Sequence, residues 1–190
     1  SVVLWLAHFP VLHPCAQLSA LFCYARVRGC GHWLFLPTEP HAGVDALAHF
    51  RRDGVQVSLP EPPPDCLSKP SQRAAAVPPE TRLVRVRAAN NEIGVLQPLK
   101  ELAAICRNRG VVFHSDSAQA FGHIPLEPDN LGVELVSLSA HNPYGPKGIG
   151  ALGRPAGGRL HPLPWGGGRG ADRPRRKQAT PSRGALSAAG

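Results

Sequence analysis

Three short polar clusters stand at the ends of apolar runs in this sequence. Asn90, Asn91 and Glu92 follow "TRLVRVRA", Asp116 and Gln119 follow "VVFHS", and Ser139, His141 and Asn142 follow "VELVSL". The last cluster leads into a glycine-rich turn from Tyr144 to Gly150. A polar tip where a buried strand ends is where α/β proteins place chemistry, because their ligands bind beyond the carboxyl ends of the strands. Taken singly, each cluster is also an ordinary turn, since Asn, Asp and Ser favour turns for local reasons. Three on one rim are more than turn chemistry requires.

The elements that must carry these tips follow from periodicity. "HWLFL" (32–36) reads as a buried strand, "GVDALAHFRRDG" (43–54) as a helix closed by Gly54, and "VQVSL" (55–59) as the next strand. After a proline-rich connection come a strand at 81–88 and a helix at 98–110 that has Pro98 at its start, basic residues in its last turn and Gly110 at its stop. Apolar strands follow at 111–116 and 133–141. Strands alternating with helices of this length imply a mainly parallel mixed sheet covered on both faces, an α/β three-layer sandwich.

Composition bounds the function classes. The 190 residues suffice for one domain, with 43% hydrophobic and 18% charged residues, and the 21 prolines and 20 glycines point to extended loop segments. With no Met in the sequence, an interior piece of a longer reading frame is the expectation. The net charge of +8 is concentrated near the end, where Arg169, Arg173, Arg175, Arg176, Lys177 and Arg183 against Asp172 contribute +5. Without interleaved aromatics or a binding motif, that run reads as a solvated end and not as a nucleic-acid surface. His8, Pro10, His13, Pro14 and Gln17 interrupt the early apolar patches before they reach the about 20 residues of a membrane span. The five cysteines, at 15, 23, 30, 66 and 106, show no CxxC pair and no metal spacing, so no metal site is expected. Cys106, inside a helix, reads as a small buried hydrophobe.

The wording and order of the clusters resemble one family. "NNEIGVLQPLKELAAICRNRGVVFHSDSAQAFGHIPL" followed by "LGVELVSLSAHNPYGPKGIGAL" is similar to the pyridoxal-phosphate-dependent cysteine desulfurases and selenocysteine lyases of the class V aminotransferase group. The match runs from about Thr81 to Leu152, with a weaker stretch from Gly31 to Pro60. The resemblance implies the large domain of the fold type I pyridoxal-phosphate enzymes, here incomplete. It divides the chain into an unassigned segment at 1–30, a partial cofactor-binding domain at 31–153, and a Gly/Pro/Arg-rich tail at 154–190 expected to be poorly ordered.

Roles carry over position by position. Pyridoxal 5'-phosphate is an electron sink whose ring nitrogen is kept protonated by a neighbouring carboxylate, and Asp116 matches that position. Asn91 and Gln119 match residues at the ring hydroxyl side. His41 is similar to the histidine stacked on the ring face, one residue out of register in "EPH". Ser139 and His141 match contacts to the phosphate, a dianion that needs convergent donors. Thr180, at a disturbed spacing after "WGGGRG", is similar to a threonine that reaches a partner subunit's cofactor phosphate.

The residue after the histidine of the third cluster is the family's Schiff-base lysine, and here it is Asn142. A carboxamide nitrogen is delocalised and forms no imine, and it cannot shuttle the substrate proton either. Lys147, five residues on, reads as a surface or phosphate-side lysine. No segment matches the family's phosphate loop or its sulfur-accepting cysteine loop. The resemblance thus implies a desulfurase ancestry, removing sulfur from L-cysteine to leave L-alanine, with impaired activity and cofactor held noncovalently at best. The alternatives are a selenocysteine lyase acting on selenocysteine, or a non-catalytic or truncated descendant. It further implies a small amino-acid substrate and a homodimer when complete. Nucleic acid and membrane are not expected partners. The location expected is cytoplasmic, or mitochondrial with a targeting segment.

Overall fold

In a computed structural model, the structure describes residues 2–8, 31–36, 47, 50–52, 54–71, 77–139, 144 and 149–155. Nine strands and two helices lie among them: β1 (Val2–His8), β2 (His32–Phe35), β3 (Gln56–Ser58), β4 (Thr81–Arg87), β5 (Ala89–Asn90), β6 (Val95–Leu96), α1 (Leu99–Asn108), β7 (Val112–Asp116), α2 (Pro128–Leu131), β8 (Leu135–Ser139) and β9 (Ile149–Pro155). Seven strands form one sheet in the order β1-β9-β8-β7-β4-β2-β3. β9 runs antiparallel to both β1 and β8, and the other pairs are parallel. This is the mainly parallel mixed sheet that the alternation of strands and helices predicts.

Each face of the sheet buries its own apolar layer. Leu34, Val84, Val86, Phe113 and Val136 meet Leu99, Leu102, Ala103 and Cys106 of α1 on one face. Trp33, Phe35, Leu83, Val112, Leu135 and Leu152 meet Leu47 and Phe50 on the other, where residues 47 and 50–52 are helical. Alternation along β4 and β7 sends successive side chains to opposite layers. Burial of a Leu or Phe side chain contributes about 1.5–3 kcal/mol, so α1 and the helical residues Leu47 and Phe50 are held chiefly by these stripes. α1 has Glu101 in its first turn and Arg107 in its last, as its dipole favours. Gly110, at φ 64°, supplies the left-handed residue that ends it, and Val111 N–H returns to the Cys106 carbonyl at 2.9 Å.

Two elements differ from the sequence reading. Residues 1–30 carry no assigned element there, yet Val2–His8 forms the edge strand β1, in register from Val2 opposite Pro155 to His8 opposite Ile149. The glycine-rich turn expected through Gly150 already gives way to strand β9 at Ile149. Sheet pairing over some 140 residues of separation overrides the local turn preference of Gly150 and Gly153. Among the described residues no helix is long and apolar enough to cross a membrane. The tail beyond residue 155 lies outside the described residues.

Candidate functional site

Parallel pairing brings the polar tips side by side. In register, Arg87 of β4 stands opposite Asp116 of β7, and Asp116 opposite Ser137 of β8. Ala88 N–H donates to the Asp116 carbonyl at 2.8 Å and Ser117 N–H to the Ser137 carbonyl at 2.9 Å, so β4 and β7 end at one level and β8 runs on to Ser139. Asp116 stands at that level, and beyond it lie Asn90 and Asn91 after β4, Gln119 after β7, and Ser139, the last residue of β8.

Each tip has a local device that sets it. After β4 the chain folds into the small β5–β6 hairpin, in which Asn90 Oδ1 accepts the N–H groups of Glu92 at 2.8 Å and Ile93 at 3.3 Å. Gly94, at φ 67°, closes that turn. Asn91 is exposed, and its Oδ1 accepts from Arg87 Nη2 at 3.0 Å. After β7 the N–H groups of Ala120 and Phe121 both return to the Ser117 carbonyl, a tight turn that holds Gln119 half-buried. Ser139 is fully buried beside β9, opposite Gly150.

Asp116 is the electrostatic centre of the rim. Its Oδ2 accepts from Arg85 Nη2 at 2.8 Å and its Oδ1 from Ala118 N–H at 3.2 Å. The Arg85 side chain is 1% exposed and that of Asp116 is 11%, so the pair is buried with only the carboxylate reaching the rim. Arg85 also lies 5.9 Å from the centroid of the Phe35 ring. Arg85 has no place among the residues the sequence singles out. The pattern "TRLVRVR" does not set it apart from Arg82, which the same strand exposes.

His114 lies one pleat inward from Asp116, fully buried, with Nε2 2.7 Å from Ser137 Oγ and, among the described residues, no hydrogen-bond partner at Nδ1. Burial first, and then the charge of Arg85, push its pKa well below 6.5. Neutral His114 in the fold therefore resists a proton that the unfolded chain accepts below pH 6.5. Stability is full above that pH and declines as pH falls through it, by up to about 1.4 kcal/mol per pH unit for one proton. His32 is lowered too, by burial against an opposing contribution from Glu80, and acts in the same direction. Denaturant unfolding at pH 7.5 and 5.5 is expected to show this loss, and His114→Gln to remove the larger part of it. A pH-independent midpoint would contradict the assignment.

Cys106 is 2% exposed and burial, reinforced by Glu134, pushes its thiol up to about 12, the state of an inert core residue. Of the residues that the sequence singles out, Asn91, Asp116, Gln119 and Ser139 are brought to one rim. His41, His141, Asn142, Lys147 and Thr180 lie outside the described residues. One carboxylate, two carboxamides and a hydroxyl stand at or just beyond neighbouring strand ends, a set that offers both hydrogen-bond donors and acceptors to a polar ligand.

Comparison with known proteins bears on the fold and the family. The family model described as aminotransferase class-V matches residues 21–182. The mitochondrial cysteine desulfurase of Eremothecium gossypii is 44% identical over 139 residues, which are 72% of this chain and 28% of that protein. The cysteine desulfurase IscS of Rickettsia felis is 44% identical over 121 residues, 64% of this chain and 30% of that one. A solved structure of SspA in complex with cysteine superposes with a TM-score of 0.81 at 27% identity, covering 98% of this chain and 54% of that one. The match thus spans less than a third of the curated relatives and about half of the solved chain.

Proposed function

The chain belongs to the class-V aminotransferase family, and from that premise we propose that it is the core of a cysteine desulfurase large domain that binds pyridoxal 5'-phosphate reversibly and turns over little or no cysteine. The observation that supports this reading is Asp116, the last residue of β7 and in register with the last residue of β4, at the strand-end rim where Asn91, Gln119 and Ser139 also follow or end strands. When bound, the cofactor supplies an electron sink for bonds at the amino-acid substrate.

This chain's residues divide the binding among them. Asp116 would hold the ring nitrogen, Asn91 and Gln119 the ring hydroxyl side, and Ser139 the phosphate, while His141 and His41, outside the described residues, match the family's phosphate and ring-face positions. Each charge-assisted hydrogen bond contributes about 1.5–3 kcal/mol. Asn142, at the position of the Schiff-base lysine, holds neither the covalent link nor the substrate proton. Cysteine is the substrate class that the relatives' names support. A homodimer in the complete protein is part of the same reading.

Titration of the intact chain with pyridoxal 5'-phosphate, followed by tryptophan fluorescence, tests it. Saturable binding fully reversed by dialysis is the expected result, with cysteine turnover near background and no borohydride label at position 142. Absence of saturable binding would overturn the reading. Labelling of Lys147 in the unaltered chain would overturn the assignment of the site.

A further inference from the structure

Arg87 is the last residue of β4, and Ala88 alone separates it from the β5–β6 hairpin. Four residues on, where the hairpin turn begins, Asn91 Oδ1 accepts from Arg87 Nη2 at 3.0 Å. A guanidinium carries hydrogen-bond donors and no acceptor, so the amide end that faces it must be the oxygen. The Nδ2 end, with its two hydrogens, is thereby turned away from Arg87. Among the described residues Arg87 enters no ion pair, although Asp116 stands beside it in register, and Asn91 Nδ2 has no hydrogen-bond partner.

An amide free to turn over offers a ligand either a donor or an acceptor, and a cation on one side removes that choice. Asn91 is exposed and Arg87 half-buried, so water competes for their bond until a ligand covers the rim, after which the charge-assisted contact strengthens. Resting on the reading that pyridoxal 5'-phosphate docks on this rim with its ring hydroxyl at Asn91, we propose that Arg87 is a positioning residue that fixes Asn91 as a hydrogen-bond donor, so that this subsite selects a ligand oxygen that accepts. The deprotonated ring hydroxyl is such an oxygen. Polarised by the guanidinium, the amide donates to it more strongly than an unpaired amide would. Arg87 acts through Asn91 and touches no ligand atom itself.

The test compares pyridoxal 5'-phosphate with its 3-deoxy analogue, in which hydrogen replaces the ring hydroxyl, by equilibrium dialysis against the intact chain. The unaltered chain is expected to bind the natural cofactor about tenfold more tightly, the scale of one charge-assisted hydrogen bond. Arg87→Met is expected to bring that ratio to within about threefold, and Arg87→Lys, whose ammonium also only donates, to restore most of it. Arg87→Ala serves where the methionine variant does not fold. Asn91→Asp keeps an acceptor for Arg87 but offers the ligand no donor, so it is expected to lose the preference as well. Adding Arg87→Met to Asn91→Ala is expected to change the ratio no further, which separates positioning through Asn91 from a direct effect of charge or a general loss of structure. A ratio near one in the unaltered chain, a preference that survives loss of the arginine, or a further loss in the double variant overturns the role of Arg87 alone. Failure of the unaltered chain to bind either compound overturns the cofactor reading and this proposal together.

Discussion

Asn142→Lys is expected to convert reversible cofactor binding into a covalent, borohydride-reducible attachment of about one pyridoxal 5'-phosphate per chain. The unaltered residue offers only a delocalised amide nitrogen, so its labelling stays at background. A lysine amine at that position gains from being held beside the ring. Well-oriented intramolecular groups reach effective concentrations worth about 7–11 kcal/mol over free solution, so partial alignment already suffices for stoichiometric attachment. The tether is short, because Ser139, three residues earlier, is the buried last residue of β8. Visible absorbance, reduction and peptide mass spectrometry read out the attachment and its position. Cysteine turnover is expected to remain low, since no segment of this sequence matches the phosphate loop or the sulfur-accepting cysteine loop of the resembled family. A variant that binds no cofactor at saturating concentration would show that the rim is not assembled, and the truncated-descendant reading would then stand in place of the enzymatic one.

The central strands were legible because each combines an apolar run with a polar stop. β4, β7 and β8 end within two residues of the positions that periodicity predicts, and the site tips follow from those ends. β1 escaped because its local sequence carries no boundary signal. "VVLWLAH" becomes an edge strand only through pairing with β9, with Trp5 opposite Leu152, and that partner is itself hidden in a glycine-rich stretch. The β5–β6 hairpin and α2, of two-residue strands and four residues, fall below the length at which periodicity speaks. Arg85 was invisible for another reason. In "TRLVRVR" the arginines suggest a solvated alternation, whereas β4 is covered on both sides by β2 and β7 and buries Arg85 completely while Arg82 is exposed. Side-chain pairing between strands 31 residues apart decides that, and one strand's pattern does not contain it.

That pairing sets the largest stability effect expected from a single substitution on the rim. Asp116→Ala removes the carboxylate that faces the charged, buried Arg85, and breaking a buried pair in this way costs about 3–5 kcal/mol. The cost belongs mainly to the stranded guanidinium and not to the net worth of the pair, so adding Arg85→Met to Asp116→Ala is expected to recover most of it. Lys69 and Asp65 give the contrast: their 3.1 Å ion pair joins side chains that are 53% and 41% exposed, so Asp65→Ala is expected to leave the unfolding midpoint unchanged. Urea unfolding of the unaltered chain, the two single variants at positions 85 and 116 and the double variant closes the cycle, with equal m-values as the check that the same surface unfolds. If Asp116→Ala shifts the midpoint no more than Asp65→Ala does, the Arg85 guanidinium reaches water or another anion. A double variant as unstable as Asp116→Ala would instead mean that Asp116 holds the rim through the Ala118 N–H and its turn, with Arg85 a bystander.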